Sequence, residues 1–422
     1  MSSDDASERR REIGRRVARW RARRGLTRRQ FAELCDRSLS WVDKVESGER
    51  GLLRLPMLER VADVLHVSVE DLADTAEIRQ ARHCFDLFEI SAIRSAVQSY
   101  QAISRVIVPS IVESNAPPDL DRLTQQVTYT WLAYQNTHWA MLGQALPRLL
   151  TTAQAAVVAY PGADDQARRA RSLLSQAYQV TACVLYRLDE FDLAWLAAER
   201  GFVLAEENGD SLLIGAATRQ AARGLMFLKH YDQSLEFIRA GIDRLEPERG
   251  SGSPACLSLY GLLFLAGAAT AARANKPAVA RDLLDEGHSV ACQFGYDSNE
   301  NEYFSSFGPT EVHLYRVDVW RALGDGAGVL NAARQVSPDD LSRLRKERRS
   351  SYHVNVAWGH SLAGHPDDAV SALLATEKSF PDVVRCWPFA LDLLDHLRRS
   401  ASGARARELE QLAARAGLPN HG

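Results

Sequence analysis

A short link between helices recurs between residues 188 and 369, and it constrains the fold of this 422-residue chain more than any other feature. Leu188-Asp-Glu-Phe-Asp-Leu-Ala194, Leu228-Lys-His-Tyr-Asp-Gln-Ser234, Ala274-Asn-Lys-Pro-Ala-Val-Ala280 and Ala363-Gly-His-Pro-Asp-Asp-Ala369 align, with a degenerate member from Leu323 to Val329. Twelve residues before the last residue of each link stand Ala182, Ala222, Ala268, Ala357 and Val317. Small side chains at both places let two antiparallel helices approach closely. A repeat with members 40–49 residues apart predicts stacked helix pairs, since no single pair buries its apolar face alone. An earlier pair, Asp119–Asn136 and Ala140–Tyr160, begins the array.

The N-terminus is built differently. Residues 1–54 carry a net charge of +6 and the remainder –9, against –3 for the whole chain. Such a basic end suits phosphate contact there and argues against nucleic acid wrapped along the full length. Residues 1–8 read as an irregular start, followed by a helix from Arg9 to Arg24 with Ile13, Val17 and Trp20 inward. Thr27 and Gln30 form a capping box for a two-turn helix, Arg28 to Cys35, that buries Phe31, Ala32 and Leu34. Asp36-Arg37 turn the chain. Ser38 caps a third helix reaching about Glu46, and Ser47-Gly48 stops it. Pro56 opens a fourth helix from Met57 to Leu65, and Ser68 caps a short fifth through Leu72. From Ile78 to Val108 a long apolar helix is expected, either packed under the next domain or dimerising.

Residues 11–74 resemble the XRE, or lambda-repressor-like, family of five-helix DNA-binding domains. The resemblance rests on Arg21, Leu26-Thr27, Phe31-Ala32, Ser38, Val42, Val45-Glu46, Gly48 and Val61-Ala62…Leu65. Arg28, Asp36 and Arg37 depart from the family's glutamine, turn glycine and buried aliphatic. The family register implies that Leu39, Ser40 and Lys44 meet base edges in the major groove of a double-stranded DNA operator. Arg28, Arg29, Trp41, Arg50 and Arg54 are then candidates for the sugar-phosphate backbone. A structural ion pair between Arg21 and Glu46 follows from the same register. The expected fold is all-α: a helix-turn-helix domain over 9–74, a linking helix over 78–108, and a repeat domain over 109–418.

The repeat is similar to the tetratricopeptide pattern, which implies a right-handed solenoid whose first helices line a concave groove. In that register Gln176, Gln179, Tyr186, Arg219, Arg223, Glu311, Asp318 and Asn355 face inward, able to hold a peptide's backbone and termini. Tyr303, Phe304 and Phe307, in the loop Gly295–Pro309, would close over it. An ordinary solvated groove and a stapled loop are the plainer alternative. The basic run Arg343–Arg349 is either a partner or phosphate site or a solvated helix face.

An XRE head on such a body resembles the peptide-responsive RRNPP regulators, and more broadly the XRE–repeat regulators common in actinobacteria. The resemblance implies quorum sensing by a homodimer whose geometry a peptide or small signalling molecule alters. A scaffold controlled by a partner protein is the alternative. Enzyme motifs are missing: Gly324-Asp-Gly-Ala-Gly328 lacks a P-loop lysine, no histidine pair has zincin spacing, and no G-x-S-x-G occurs. Six scattered cysteines form no C-x-x-C, so neither metal nor cofactor is expected. No apolar run is read as approaching the roughly 18 residues of a membrane span, and a cytoplasmic chain is expected.

Overall fold

A computed structural model describes residues 3–24, 26–35, 37–49, 61–62, 64–65, 67, 72, 90–98, 117–250, 252–298, 303–416 and 418. Among them every regular element is an α-helix, apart from one isolated antiparallel bridge between Ser298 and Phe307. The chain divides into two compact units, residues 1–87 with 401–422, and residues 88–400.

In the first unit, α1 spans Ser3–Arg23, α2 Arg28–Leu34 and α3 Leu39–Glu46. The first helix starts six residues before the expected Arg9. The sequence offers Asp4 and Asp5 there, and acidic residues favour the positive end of a helix dipole. Thr27 and Gln30 form the reciprocal capping box, and Ser38 caps α3 through the Trp41 amide. Ile13, Val17, Phe31, Ala32, Cys35, Val42 and Val45 make the core with Val61, Ala62, Leu65 and Leu72. Leu34 was expected inside but is 53% exposed, and Cys35 takes its place. A seven-residue helix has only two turns, so a shift of one residue moves a side chain off the buried face.

Gly14 lets α1 cross α3 at close range, because a Cβ there would lie 2.4 Å from the Val45 carbonyl. Gly48 ends α3 at φ +79, a left-handed conformation that glycine adopts without steric cost. Pro56, Ser68 and nearly all of the fourth and fifth helices lie outside the described residues, as do Arg50, Arg54 and most of Ile78–Val108. The described part of that last segment, α4 (Ile90–Val97), packs on the repeat body through buried Ile93, Ala96 and Val97. Arg94 reaches Glu190 at 2.9 Å.

The second unit continues with α5 (Leu120–Gln135), α6 (Trp139–Ala159), α7 (Asp165–Arg187), α8 (Phe191–Asn208), α9 (Ser211–Phe227) and α10 (Tyr231–Arg249). There follow α11 (Pro254–Arg273), α12 (Pro277–Phe294), α13 (Pro309–Ala322), α14 (Gly326–Ala333), α15 (Pro338–Arg343) and α16 (Lys346–Leu362). The body ends with α17 (Pro366–Ser379), α18 (Pro381–Cys386) and α19 (Pro388–Ser400), while α20 (Gly403–Arg415) groups with the first unit.

Each aligned link joins two antiparallel helices, and all share one backbone device. The second residue of each is left-handed: Asp189 (φ 57), Lys229 (φ 65), Asn275 (φ 55), Gly324 (φ 77) and Gly364 (φ 78). Thr137 (φ 59) repeats it between α5 and α6. The next amide then donates to the carbonyl five residues back, as His230 does to Leu225 (2.8 Å) and Asp325 to Trp320 (3.0 Å). This is a Schellman stop, which satisfies carbonyls the ending helix would orphan.

Ala182, Ala222, Ala268, Val317 and Ala357 are buried, as are Ala194, Ser234, Ala280, Val329 and Ala369. Ser234 donates 2.8 Å to the Ala222 carbonyl, so the small residues do touch across a pair. The helix α11 is long and apolar enough to span a membrane by length and composition, contrary to the expectation for this chain. Of its most apolar stretch 83% is buried, between α10, α12 and α13, which accounts for that composition without a bilayer.

Candidate DNA-facing helix and repeat-domain cavity

On α3 the buried face is Trp41, Val42 and Val45, which leaves Leu39, Ser40, Asp43 and Lys44 exposed. Leu39 is 48% exposed, a large apolar side chain left out of the core at the helix start. Trp41, expected against the sugar-phosphate backbone, is 7% exposed and belongs to the core. Its aromatic bulk packs into the same core as Phe31, Val42 and Val45. Asp43 was missed by sequence reasoning, and its carboxylate shares the exposed face with Lys44.

Arg21 donates to Glu46 Oε1 at 2.5 Å and Oε2 at 3.3 Å, as the family register implied, and also to the Leu26 carbonyl at 2.7 Å. Arg28, expected on phosphate, instead joins this pair: its Nε lies 2.7 Å from Glu46 Oε2 and 3.6 Å from Asp43. Burial by itself would push the Glu46 carboxyl up. The hydrogen bonds and charges of Arg21 and Arg28 outweigh that and hold it below the ordinary carboxylate value. Arg28 still has half its side chain in solvent, and Arg29 is more exposed, with Glu33 at 3.4 Å.

In the second unit, the first helices of successive pairs surround a cavity of about 360 Å3. Its wall comes from the C-terminal ends of α5 and α7, the C-terminal halves of α9 and α11, one face of α13, the N-terminal half of α16, the loop at Phe304–Ser306, and from Trp387, Phe389 and Asp392. The array closes on itself, because α16 packs against α5 and Arg187 of α7 is buried against Glu347 and Ser351 of α16. Trp387 covers Arg187 at 4.1 Å.

Of the residues expected in the groove, Tyr186, Arg219, Arg223, Phe304, Glu311, Asp318 and Asn355 line this cavity. Four do not. Gln176 and Gln179 sit two to three turns before the end of α7, where Gln179 is buried beside Ser175 against Gly201 of α8. Tyr303 turns away to donate to Asp210 at 2.9 Å. Phe307 is buried against Gly261, where a Cβ would have no room, and belongs to the core of α11–α13. Phe304 (φ 53) reaches the groove, stacking on Trp131 at 5.5 Å while its carbonyl accepts from Gln135 at 2.8 Å.

The wall carries seven arginines and five carboxylates. Arg273 and Arg321 share Asp318, at 3.2 and 2.9 Å. Burial raises the Asp318 carboxyl, but these two guanidiniums overcome it and hold the group far below its usual range. Arg348 pairs with Glu311 at 2.6 Å. There burial wins and the Glu311 carboxyl is pushed up, with Arg348 offsetting only part. Arg345 and Arg348 come from the run read as either a partner or phosphate site or a solvated helix face. Part of that run turns into the cavity at the start of α16, because only every third or fourth residue of a helix shares a face. Its charges were legible, whereas the partners on α7 and α13 were not.

Elsewhere, ligand atoms of His360, His365 and Asp368 lie within 4.8 Å of one another across the α16–α17 link. The histidines stand at i and i+5, a spacing that a search for i, i+4 pairs passes over.

With both regions described, the class is that of a helix-turn-helix head joined to a helical repeat body. Residues 12–75 match the family model of a helix-turn-helix domain. Among solved structures the chain is similar to Bacillus thuringiensis PlcR, crystallised in complex with the peptide PapR7 and DNA. The identity is 17%, covering 67% of this chain and 95% of that one, with a TM-score of 0.30. No curated protein matches the sequence.

Proposed function

We propose that this chain is a sequence-specific DNA-binding transcription regulator, not an enzyme, whose repeat body senses a peptide or small signalling molecule. The observation that carries the reading is the exposed face of α3, with Leu39, Ser40 and Lys44 side by side on a capped helix in a basic head. Leu39 suits a thymine methyl and Lys44 the O6 and N7 of guanine, while Asp43 suits a cytosine amino group. Arg29 contacts phosphate, which positions the head without reading sequence. One such face is small, so selectivity comes from a homodimer on a two-fold operator with half-sites about one helical turn apart. Ligand in the cavity changes the geometry of the dimer by binding one state better than the other. The protein works in the cytoplasm, with the chromosome.

A mobility-shift titration with DNA upstream of its own coding sequence tests this. Lys44→Ala should weaken specific binding by about 1–3 kcal/mol, the worth of a good base contact. Arg29→Ala should weaken all sequences alike and lower the salt slope by about one. Failure of the full-length protein to bind any genomic fragment at low salt would overturn the reading.

A further inference from the structure

The cavity's arginines are not equally committed. Arg187, Arg273, Arg321 and Arg348 each face a carboxylate. Arg219 and Arg223, four apart on one face of α9, have no carboxylate within salt-bridge distance among the described residues. Glu311, which feels the charge of Arg219, already pairs with Arg348. Two like charges at this spacing repel, so the arrangement costs stability unless an anion answers it. The Arg219 Nε is buried without a hydrogen-bond partner. Arg223 lies over two rings, its guanidinium carbon 4.9 Å from the centroid of Tyr186 and 5.6 Å from that of Phe227. A guanidinium whose neighbours are ring faces rather than acceptors keeps its N–H donors for an oxyanion.

The aromatic surroundings are equally specific. Phe227 stacks on Tyr186 (5.3 Å) and on Phe191 (4.7 Å), forming an apolar shelf beside the two arginines. Two buried residues of the wall, Gln135 and Asn355, each hold a carbonyl oxygen without a partner. An orphaned buried acceptor is costly, and a donor brought by a ligand or water relieves it. At about 360 Å3, in an array closed by the contact of α16 with α5, the space is near the small end of ligand sites.

We propose that this cavity binds a compact organic oxyanion, its carboxylate or phosphate gripped by Arg219 and Arg223 and its apolar body laid on the Phe191–Phe227 shelf. This rests on the cavity being the sensing site of the proposed regulator, and it specifies what is sensed.

Titration calorimetry of the full-length protein tests it with 3-phenylpropanoate, phenyl phosphate, the neutral 3-phenylpropanamide, inorganic phosphate and an amidated tetra-alanine peptide. At least one of the two aromatic anions should bind, and whichever binds tighter identifies the source as carboxylate or phosphate. The neutral amide and inorganic phosphate should bind at least about tenfold more weakly, as should that anion to Arg219→Gln and to Arg223→Gln, the loss of one charge-assisted hydrogen bond. Lys229→Gln, on an exposed link, should bind like the parent. Thermal melting of Arg219→Gln should show no loss of unliganded stability, since like-charge repulsion is relieved, whereas Arg223→Gln also gives up its contacts with the Tyr186 and Phe227 rings. The proposal is overturned if the amide or the peptide binds as tightly as the anions, if both variants keep parental affinity, or if neither anion binds at millimolar concentration. A parallel mobility-shift assay separates the two readings. An anion that binds in the cavity without altering DNA affinity sinks the regulatory reading alone, and DNA binding with an unresponsive cavity sinks the oxyanion site alone.

Discussion

Glu46 accepts from Arg21 and Arg28 together, with only 4% of its side chain exposed, so one carboxylate ties α1, α2 and α3. Glu46→Ala leaves Arg21, its side chain only 14% exposed, with the Leu26 carbonyl but no counter-charge, and should cost roughly 3 kcal/mol, near the lower limit for breaking a buried pair. A fall in melting temperature of the full-length protein's head transition checks it. The same carboxylate gives a pH signature. Its folded pKa lies below the 4.5 of the free group, so its contribution is fully present above pH 4.5 and is lost as pH falls through the folded value. Acid titration of the parent should show that loss, and Glu46→Gln should flatten it. His353 acts in the same direction at higher pH. Burial and Arg349 depress its pKa below 6.5, so the body loses this contribution as pH falls below 6.5.

At the scale of elements, the helix links are where sequence and structure agree most closely. Five links were legible because a Schellman stop demands a left-handed residue, and small residues must flank the crossing. Two links place glycine at that position, while Asp189, Lys229 and Asn275 accept strain there. Lys229→Gly should therefore stabilise the body by up to about 1 kcal/mol, the steric cost of a left-handed non-glycine residue. Gly364→Ala should lose a similar amount. Denaturant midpoints of the two variants, moving in opposite directions, decide the point. The groove register was less legible. Tyr186, Arg219, Arg223, Glu311, Asp318 and Asn355 do lie on the cavity wall, because their helices meet it near the expected turns. The register failed for Gln176 and Gln179 because α7 runs 23 residues, and only its last turns reach the cavity.

Across the whole repeat body, closure is the feature that no local pattern encodes. Arg187 and Glu347 stand 160 residues apart, both nearly buried, with Ser351 and the Trp387 ring completing the contact. Glu347→Ala leaves a buried guanidinium without its counter-charge and should cost about 3–5 kcal/mol. Glu347→Gln keeps the shape and a hydrogen-bond acceptor, and should cost less. Urea unfolding of the two variants checks the order, and equal loss would show that shape rather than charge holds the seam.

The sequence by itself determined the local grammar of this protein: capping boxes and stops for the helices, small residues at the crossings, a basic head and an acidic body. Those signals are short-ranged, because caps, turns and helical faces depend on residues only a few positions apart. The tertiary structure alone decided which charges meet. It turned Arg28 toward Glu46, drew Trp41 and Phe307 into cores, and brought part of the run at Arg343–Arg349 to the cavity wall. It also left Arg219 and Arg223 together with no carboxylate in salt-bridge distance among the described residues. Pairing between distant helices is set by how the stack curves and closes, a property of the assembled array that its individual repeats do not carry.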